Sequence, residues 1–463
     1  MTMPNLGTRA AAPSFHRHLT EQQWREQAAA PSGNFIGLWC DDDNAYHLCW
    51  DRQSPVLYST PLIDRRYFGL SHATRAASLA ERVALELWGA MPLDALSDEP
   101  LLDHEKWLSV WPLSRRALPS AASSALLTRD PLFTATSRPG LLRKSHSGLR
   151  VGRSHRGLHK RLLEKSITEA LQMVGRLASG ETVSAPLVMA QALEACHGIG
   201  ISPRDRDGRL ILAEVERLRV HFESIIAVAR LTGQELLETH AALILRKCEQ
   251  ACAEHAGGHH MMGCIMLGGM SPAIDATALA KAIISTLPAR LPLLVKLISH
   301  AETVLTRRAT VPRHRAEAHL LRGVNGRASG YKGDLRLMRR DPRFTIKLDA
   351  LSLKGDAYAR LWNRYHEITE SLAYLTAIHD HDTHEIDIAR PVVYEAHEAT
   401  SFIEGARGES WCWVKCQDER LTHFHLQTGS FNTLPVLLEL CLAGEDEQFL
   451  EASFAYSPAG AEL

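Results

Sequence analysis

The sequence predicts an α+β protein: a small N-terminal α/β domain followed by a large, mostly helical domain, a helix bundle with peripheral β-strands. Three observations carry this. Short apolar runs separated by turn residues fill the region around positions 35–60. Long amphipathic stripes at helical spacing dominate positions 163–375. Strand-like runs return after position 400.

Residues 1–30 read as a polar tail. Phe35–Cys40, Tyr46–Trp50 and Val56–Thr60 come next as strands, the first two joined by the turn-forming run DDDNA. Arg75–Trp88 reads as a helix with Ala76, Leu79, Val83 and Leu87 on one face. Pro112, Pro119 and the Ser120–Ser124 run mark a linker, which divides the chain into domains 31–120 and 121–463. Beyond it, Leu163, Ile167, Leu171 and Val174 form one apolar stripe, and Leu212, Val215, Leu218, Phe222 and Ile225 another. The clearest stripe is Tyr358, Leu361, Tyr365, Ile368, Leu372 and Leu375, opening after Gly355–Asp356, where Asp356 suits an N-cap. Heptad-like spacing of this kind predicts helices packed side by side. Ser401–Glu404, Ser410–Lys415 and His423–Gln427 read as strands.

With 52 basic and 53 acidic residues among 463, no global field argues for nucleic acid or an anionic surface. Nine scattered cysteines, an odd number, suggest a reducing compartment rather than a disulfide scaffold. The start, MTMPNLGTRAAAPSFHRHLT, has no apolar core of signal-peptide length. The most apolar region, Ala278–Ile298, is interrupted by Lys281, Arg290, Lys296, Pro288 and Pro292. The expectation is a soluble protein, or one peripheral to a membrane through partners.

Histidine is plentiful at 24. Cys248, Cys252, His255 and His259 share one helical stripe, and thiolate with imidazole at such spacing can bind zinc. Four ligands along one straight helix cannot surround a tetrahedral ion, and Gly257–Gly258 ends the helix before His259, so buried cysteines are the better reading. HDHDTHEID (379–387) reads as a solvated loop, and Cys412 and Cys416 of WCWVKC as core packing on one strand face. Two stretches resist such readings. GRASGYKGDLRLMRRDPRF (326–344) and VGRSHRGLHKRL (151–162) crowd arginines beside glycines. Charges that dense either lie in water or form a hydrogen-bonded network under a site.

At these stretches the sequence resembles a known family. SHRGLHKRLLEKSITEALQMVGRL, with His155–Arg156–Gly157, is similar to the His-Arg-Gly-x-Glu-Lys segment that two related proteins share. They are the large subunit of membrane-bound [NiFe] hydrogenases (group 4) and the quinone-site subunit of respiratory complex I. Here His159 replaces the glutamate. GRASGYKGDLRLMRRDPRF resembles their Arg-Ala-Ser-Gly … Asp-Leu-Arg … Asp-Pro-Tyr signature. Glu194 with HGIGISPR, ILAEVERLRVHFESI with His221, GDAYARLWNRYHEITESL and EGARGESWCWVK resemble further motifs in the family's order. LAERVALELWGA and WPLSRR resemble the small complex I subunit that formate-hydrogenlyase-type hydrogenases carry fused ahead of the large one.

The resemblance implies the [NiFe] hydrogenase large-subunit fold, shared with the complex I quinone-site subunit, for 121–463. For 31–120 it implies a domain like the small complex I subunit. It also implies that the chemistry has changed. By gapless count the N-terminal nickel-ligand cysteines fall on Ala178 and Glu181, the C-terminal pair is absent around Ser457, and the quinone tyrosine position holds Ser179. A methyl group and a carboxylate do not replace soft thiolates, so hydrogenase activity is not expected. The resemblance leaves a nickel-free subunit of a membrane-associated, complex I-like assembly. It would scaffold and couple a peripheral module to ion-translocating membrane subunits on the cytoplasmic side. The alternative is a redox subunit of the NADH–quinone oxidoreductase kind, whose remodelled cavity still binds a quinone or another small acceptor. The implied partners are a small iron–sulfur protein of the complex I type, which would hold any iron–sulfur cluster, and antiporter-like membrane subunits; no cofactor is expected in this chain. The candidate cavity or interface residues are His155, Arg156, Ser179, Glu181, Arg327, Asp334 and Arg336.

Overall fold

The computed structural model describes residues 16–51, 54–103, 107, 109–119, 143–145, 148–150, 158–163, 165–177, 180–339, 341–380, 392–395, 398–417 and 420–456. They fall into two compact units, one running to Arg161 and the other starting at Leu162. The linker expected near residue 120 lies outside the described residues.

The N-terminal unit is α/β, as expected. β1 (His16–His18), β2 (Asn34–Cys40), β3 (Asn44–Asp51) and β4 (Ser54–Pro61) form a sheet of order β1-β4-β3-β2, in which β1 alone runs parallel to its neighbour. α1 (Glu21–Ala29) lies between β1 and β2 in sequence, so residues 16–29 are structured and not part of a polar tail. β5 (Arg66–Phe68) and β6 (Met91–Leu93) pair in parallel on either side of α2 (Ala77–Trp88). Two antiparallel ladders come after, β7 (Ser109–Val110) with β8 (Leu118–Pro119) and β9 (Arg143–Ser145) with β10 (Gly148–Arg150). α1 begins in a capping box between Thr20 and Gln23 and buries Trp24, whose indole N–H donates to Phe68 O at 2.9 Å. α2 carries a buried carboxylate, Glu81, that accepts from Leu70 N and Ser71 N at 2.6 and 2.9 Å. Further along the same helix, Glu86 accepts from Leu102 N and Asp103 N at 3.0 and 2.8 Å. These two acids tie the flanking loops to the helix.

In the helical unit α3 (Leu158–Leu163) and α4 (Ile167–Val174) are separate helices rather than one, because Ser166 caps α4 in a capping box with Glu169. α5 (Ser184–His197) is buried along nearly its whole length beneath an antiparallel sheet built from residues after 390. α6 (Pro203–Leu231), capped by Ser202, is the longest helix and packs on α7 (Glu235–His255). The ladder β11 (Ile265–Met266) with β12 (Gly269–Met270) precedes α8 (Ala276–Thr286), a 3-10 turn at Pro288–Arg290, and α9 (Leu291–His300). Three short helices succeed them: α10 (Glu302–Leu305), α11 (Arg313–Ala318) and α12 (Gly323–Ala328). α13 (Ala357–Asp380) buries Tyr358, Leu361, Ile368, Leu372 and Leu375 of the expected stripe and packs against α6 and α8, while Tyr365 of that stripe is only half-buried.

The strands expected after residue 400 belong to that antiparallel sheet, which runs in sequence order: β13 (Val392–Glu395), β14 (Glu398–Gly405), β15 (Gly408–Gln417) and β16 (Arg420–Gln427). The end of the chain is not β throughout. Two helices close the described residues, α14 (Leu434–Leu442) and α15 (Glu447–Phe454), the latter against α6.

Asp356 performs the predicted cap. Its Oδ1 accepts from Ala359 N at 2.8 Å and its Oδ2 from Arg307 N at 3.0 Å, so one side chain starts α13 and anchors the preceding loop. Asp356→Ala should therefore cost roughly 1–3 kcal/mol, more than an exposed cap, because a buried N–H is orphaned as well. A fall in thermal midpoint read by circular dichroism checks this, and an unchanged midpoint contradicts it.

Candidate functional site

Four segments distant in sequence bring charged side chains together inside the helical unit. α6 contributes Glu214, Arg217 and His221, whose i, i+3, i+7 spacing puts them on one face. α12 contributes Arg327, the turn after it Asp334 and Arg336, α13 Glu367 and Glu370, and β14 Glu404. All are buried. Within 326–344, Arg327, Asp334 and Arg336 are thus members of a buried network rather than a solvated surface.

Arg327 is the hub. Its Nε donates to Glu367 Oε1 at 3.1 Å and its Nη1 to Glu404 Oε1 at 2.9 Å and to Gly333 O at 3.0 Å, with Asp334 Oδ2 at 3.3 Å. Arg336 makes a two-pronged pair with Asp334, Nε to Oδ1 at 3.0 Å and Nη2 to Oδ2 at 2.8 Å, and reaches Glu214 at 3.4 Å. Arg217 donates to Glu214 at 3.1 Å and to the carbonyls of Glu404 and Gly405 at 2.6 and 3.0 Å. His221 Nε2–H donates to Glu367 Oε2 at 2.9 Å. Ser371 on α13 adds its hydroxyl to Glu214 at 2.7 Å.

The electrostatics sort these acids. Burial works against ionisation at every one of them. At Glu367 the charge of Arg327 and the His221 hydrogen bond overcome it, and at Asp334 the charges of Arg336 and Arg327 do, holding that carboxyl down at about 2. At Glu370 and Glu404 burial wins and lifts each to about 7 despite Arg336 and Arg327. His221 is pushed down to about 4 by burial, offset only in part by Glu367, so its ring is neutral near pH 7.

A second locus lies where the resemblance puts the nickel ligands. Glu181 is buried, with Arg407 Nη1 3.6 Å from its Oε1 and Thr428 also interacting with the carboxylate. Burial lifts Glu181 to about 7, against the pull of Arg407 and with repulsion from Glu216. Arg407 also donates through Nε to Ala455 O at 2.5 Å, so its guanidinium bridges the loop before α5 and the end of α15. A Cβ on Gly180, at φ +78°, would lie 2.9 Å from Arg407 Nη2. Beside it Glu216 caps the start of α5, accepting from Val183 N at 2.6 Å and Ser184 N at 3.1 Å. A guanidinium against one carboxylate is not a nickel–iron donor set, and the residues here do not fit that centre.

His155, Arg156, Ala178, Ser179 and Ser457 lie outside the described residues, as does most of HDHDTHEID. The weak zinc candidates do not converge. Cys248 and Cys252 hydrogen-bond each other on the buried face of α7, while His255 sits half-buried beside Glu254 and His259 is exposed with Nδ1 against Glu249 O. No group of three or more His, Cys, Asp or Glu side chains suited to a metal occurs among the described residues. Cys412 and Cys416 are core residues, as expected, and Cys416 pairs with Cys196 of α5. Glu194, part of another resembling motif, takes a two-pronged pair from Arg209 at 2.6 and 3.0 Å and Gly268 N at 2.8 Å. Its role is to pin the β11–β12 ladder to α5 and α6.

Glu214, Arg217, Glu367, Glu370, Glu404 and Arg407 lie in stretches that carry the family resemblance but are not named individually as site candidates from the sequence. Their signal is charge at i, i+3, i+7 in the middle of the apolar stripe of α6, and carboxylates inside the stripe of α13. An acid on the buried side of a helix needs a partner, and here it has one.

Residues 240–386 match the family described as the 49 Kd subunit of the respiratory-chain NADH dehydrogenase. The matched stretch holds Arg327, Asp334, Arg336, Glu367 and Glu370, so much of the buried cluster falls within a complex I-type region. No curated protein matches the chain.

Arg327→Met removes the counter-charge from three buried acids and should destabilise the protein by about 3–5 kcal/mol, with Arg327→Lys losing less. Chemical unfolding midpoints test this, and a near-neutral Arg327→Met would contradict the hub role. For Glu181 the sign follows from a folded carboxyl at about 7 against an ordinary unfolded one. The native state holds the extra proton, so stability falls as pH rises from about 4.5 to 7. Glu181→Gln should raise the thermal midpoint at pH 8 and change it little at pH 5; equal effects at both would refute the assignment.

Proposed function

We propose that this chain is a nickel-free subunit of a membrane-associated complex related to complex I and group 4 hydrogenases. Its work is to scaffold and couple a peripheral module to ion-translocating membrane subunits from the cytoplasmic side. The observation that carries the reading is the buried cluster around Arg327. A complex I-type stretch keeps its dense charge as internal ties between α6, α12, α13 and β14, while the position of the expected metal ligands is occupied by the Glu181–Arg407 pair. In this reading residues 31–120 form a domain like the small complex I subunit, and His155, Arg156, Arg327 and Asp334 set the shape and field of a face toward a small iron–sulfur protein. Arg327 and Asp334 are buried, so they act on that face only through the elements they hold. Any iron–sulfur cluster belongs to the partner.

A second reading rests on a separate observation. Glu181, Ser184, Thr428 and Ser430 are buried polar side chains, and Ser430 Oγ has no hydrogen-bond partner; such groups suit a small polar acceptor or a quinone headgroup. Bound quinone in the purified material, or inhibitor-sensitive quinone reduction, favours this second reading.

A tagged copy purified from detergent-solubilised native membranes should bring with it antiporter-like membrane subunits and a small iron–sulfur-type protein, identified by mass spectrometry. A lone protein, or one with unrelated cytosolic partners, overturns the proposal.

A further inference from the structure

The most apolar region, interrupted by charges and prolines in sequence, is in space one helical stretch. Ala276–His300 runs through α8, the 3-10 turn and α9; its most apolar window has mean hydropathy 1.5, and only 22% of that window is buried. By length and composition it could cross a membrane, yet α8 packs on α6, α7 and α13 and seats Leu279, Ala280 and Ile283 in the core. A helix held along a bundle in this way lies beside a bilayer rather than through it. It carries Lys281, Arg290 and Lys296 and not one Asp or Glu.

The neighbouring helix extends the same surface. On α7, Leu236, His240, Leu243 and Lys247 recur at i, i+4, i+7 and i+11 on a single face. Leu236 is 76% exposed and Leu243 52%, and Leu293 of α9 is 50% exposed. His240 Nε2–H donates to Arg290 O at 3.0 Å, which fixes this stripe beside the start of α9. The acids nearby do not cancel the positive charge: Glu238 is paired with Arg230 at 2.8 Å, and Glu235 stands at the N-terminus of α7, more than a turn from Leu243. Leucines standing in water beside lysines on a folded helix face cost free energy unless something apolar and anionic covers them.

We propose that the α7–α9 face rests on an anionic phospholipid surface, with Leu236, Leu243 and Leu293 entering the interfacial layer and Lys247 and Lys296 meeting lipid phosphates. The inference deepens the membrane-associated role already proposed and rests on it. It concerns lipid rather than protein contact, so it can fail while the complex still co-purifies.

The full chain should sediment with phosphatidylcholine vesicles containing phosphatidylglycerol, much less with phosphatidylcholine alone, and should release as salt rises. Lys247→Gln and Lys296→Gln should each weaken binding about fivefold. Leu243→Asp with Leu293→Asp should abolish it, and circular dichroism shows whether these exposed positions leave the fold intact. A Leu293→Trp reporter should shift its emission to the blue on adding anionic vesicles. No binding by the parent chain, equal binding by the lysine variants, or an unshifted reporter overturns the proposal. So do cross-links from positions 243 and 293 that fall on a partner protein in the purified complex, since the face would then belong to a protein.

Discussion

A guanidinium taken out of water must find acceptors for nearly all its N–H groups, and at Arg327 that requirement sets the arrangement of the helical unit. The side chain sits on α12, a six-residue helix too short to hold a position by its own hydrogen bonds. Its place is set at both ends. Gly323, at φ +63°, starts the helix against the backbone of Gly408, where an added Cβ would collide with Gly408 Cα. From the other end Arg327 reaches across to α13 and β14. Helix and hairpin are thus held by a backbone contact and a charge contact that satisfy each other's geometry.

The acids of the cluster outnumber its arginines, and the excess is handled by protons rather than further cations. Glu367 and Asp334 stay ionised, while Glu370 and Glu404, the latter raised by burial and by the charge of Asp334, are lifted to about 7 and His221 is held neutral. Burial alone would have raised every carboxyl. The difference lies in placement: Asp334 has Arg336 in a two-pronged pair, whereas Glu370 has the same arginine only at 3.9 Å. A cluster of this kind tolerates a change of protonation at its edge without losing its centre.

Much of this was legible in the sequence, and the limits are physical. Periodicity marked the α6 and α13 stripes because a helix that buries one face must repeat apolar residues on it, and Asp356 was legible as a cap because that role is local. It could not show that Ser166 breaks one stripe into α3 and α4, since a capping box and an interior Ser-x-x-Glu look alike in a helical pattern. Nor could charge density show whether Arg327 and Arg336 lie in water. Their partners Glu214, Glu367 and Glu404 come from three other segments, and only the fold brings such distant acids within 3.5 Å. The same holds for Arg407, a residue of EGARGE whose meaning depends on Glu181, far away in sequence.

The two charged loci are not independent, and this gives the proposed scaffold role its physical content. The end of β14 supplies Glu404 to the cluster, and the turn after it, three residues on, supplies Arg407 to Glu181. On α6, Glu214 and Arg217 face the cluster while Glu216 caps α5 at the other locus. Any group placed at Glu181 therefore bears on the same hairpin and the same helix that contribute to the Arg327 cluster. Where a metal would need soft donors free to rearrange, the chain has a guanidinium bound to Ala455 O and packed over Gly180. That arrangement favours rigidity around Glu181, and a rigid core linking its helices through buried ion pairs is suited to the proposed holding of neighbouring subunits in register.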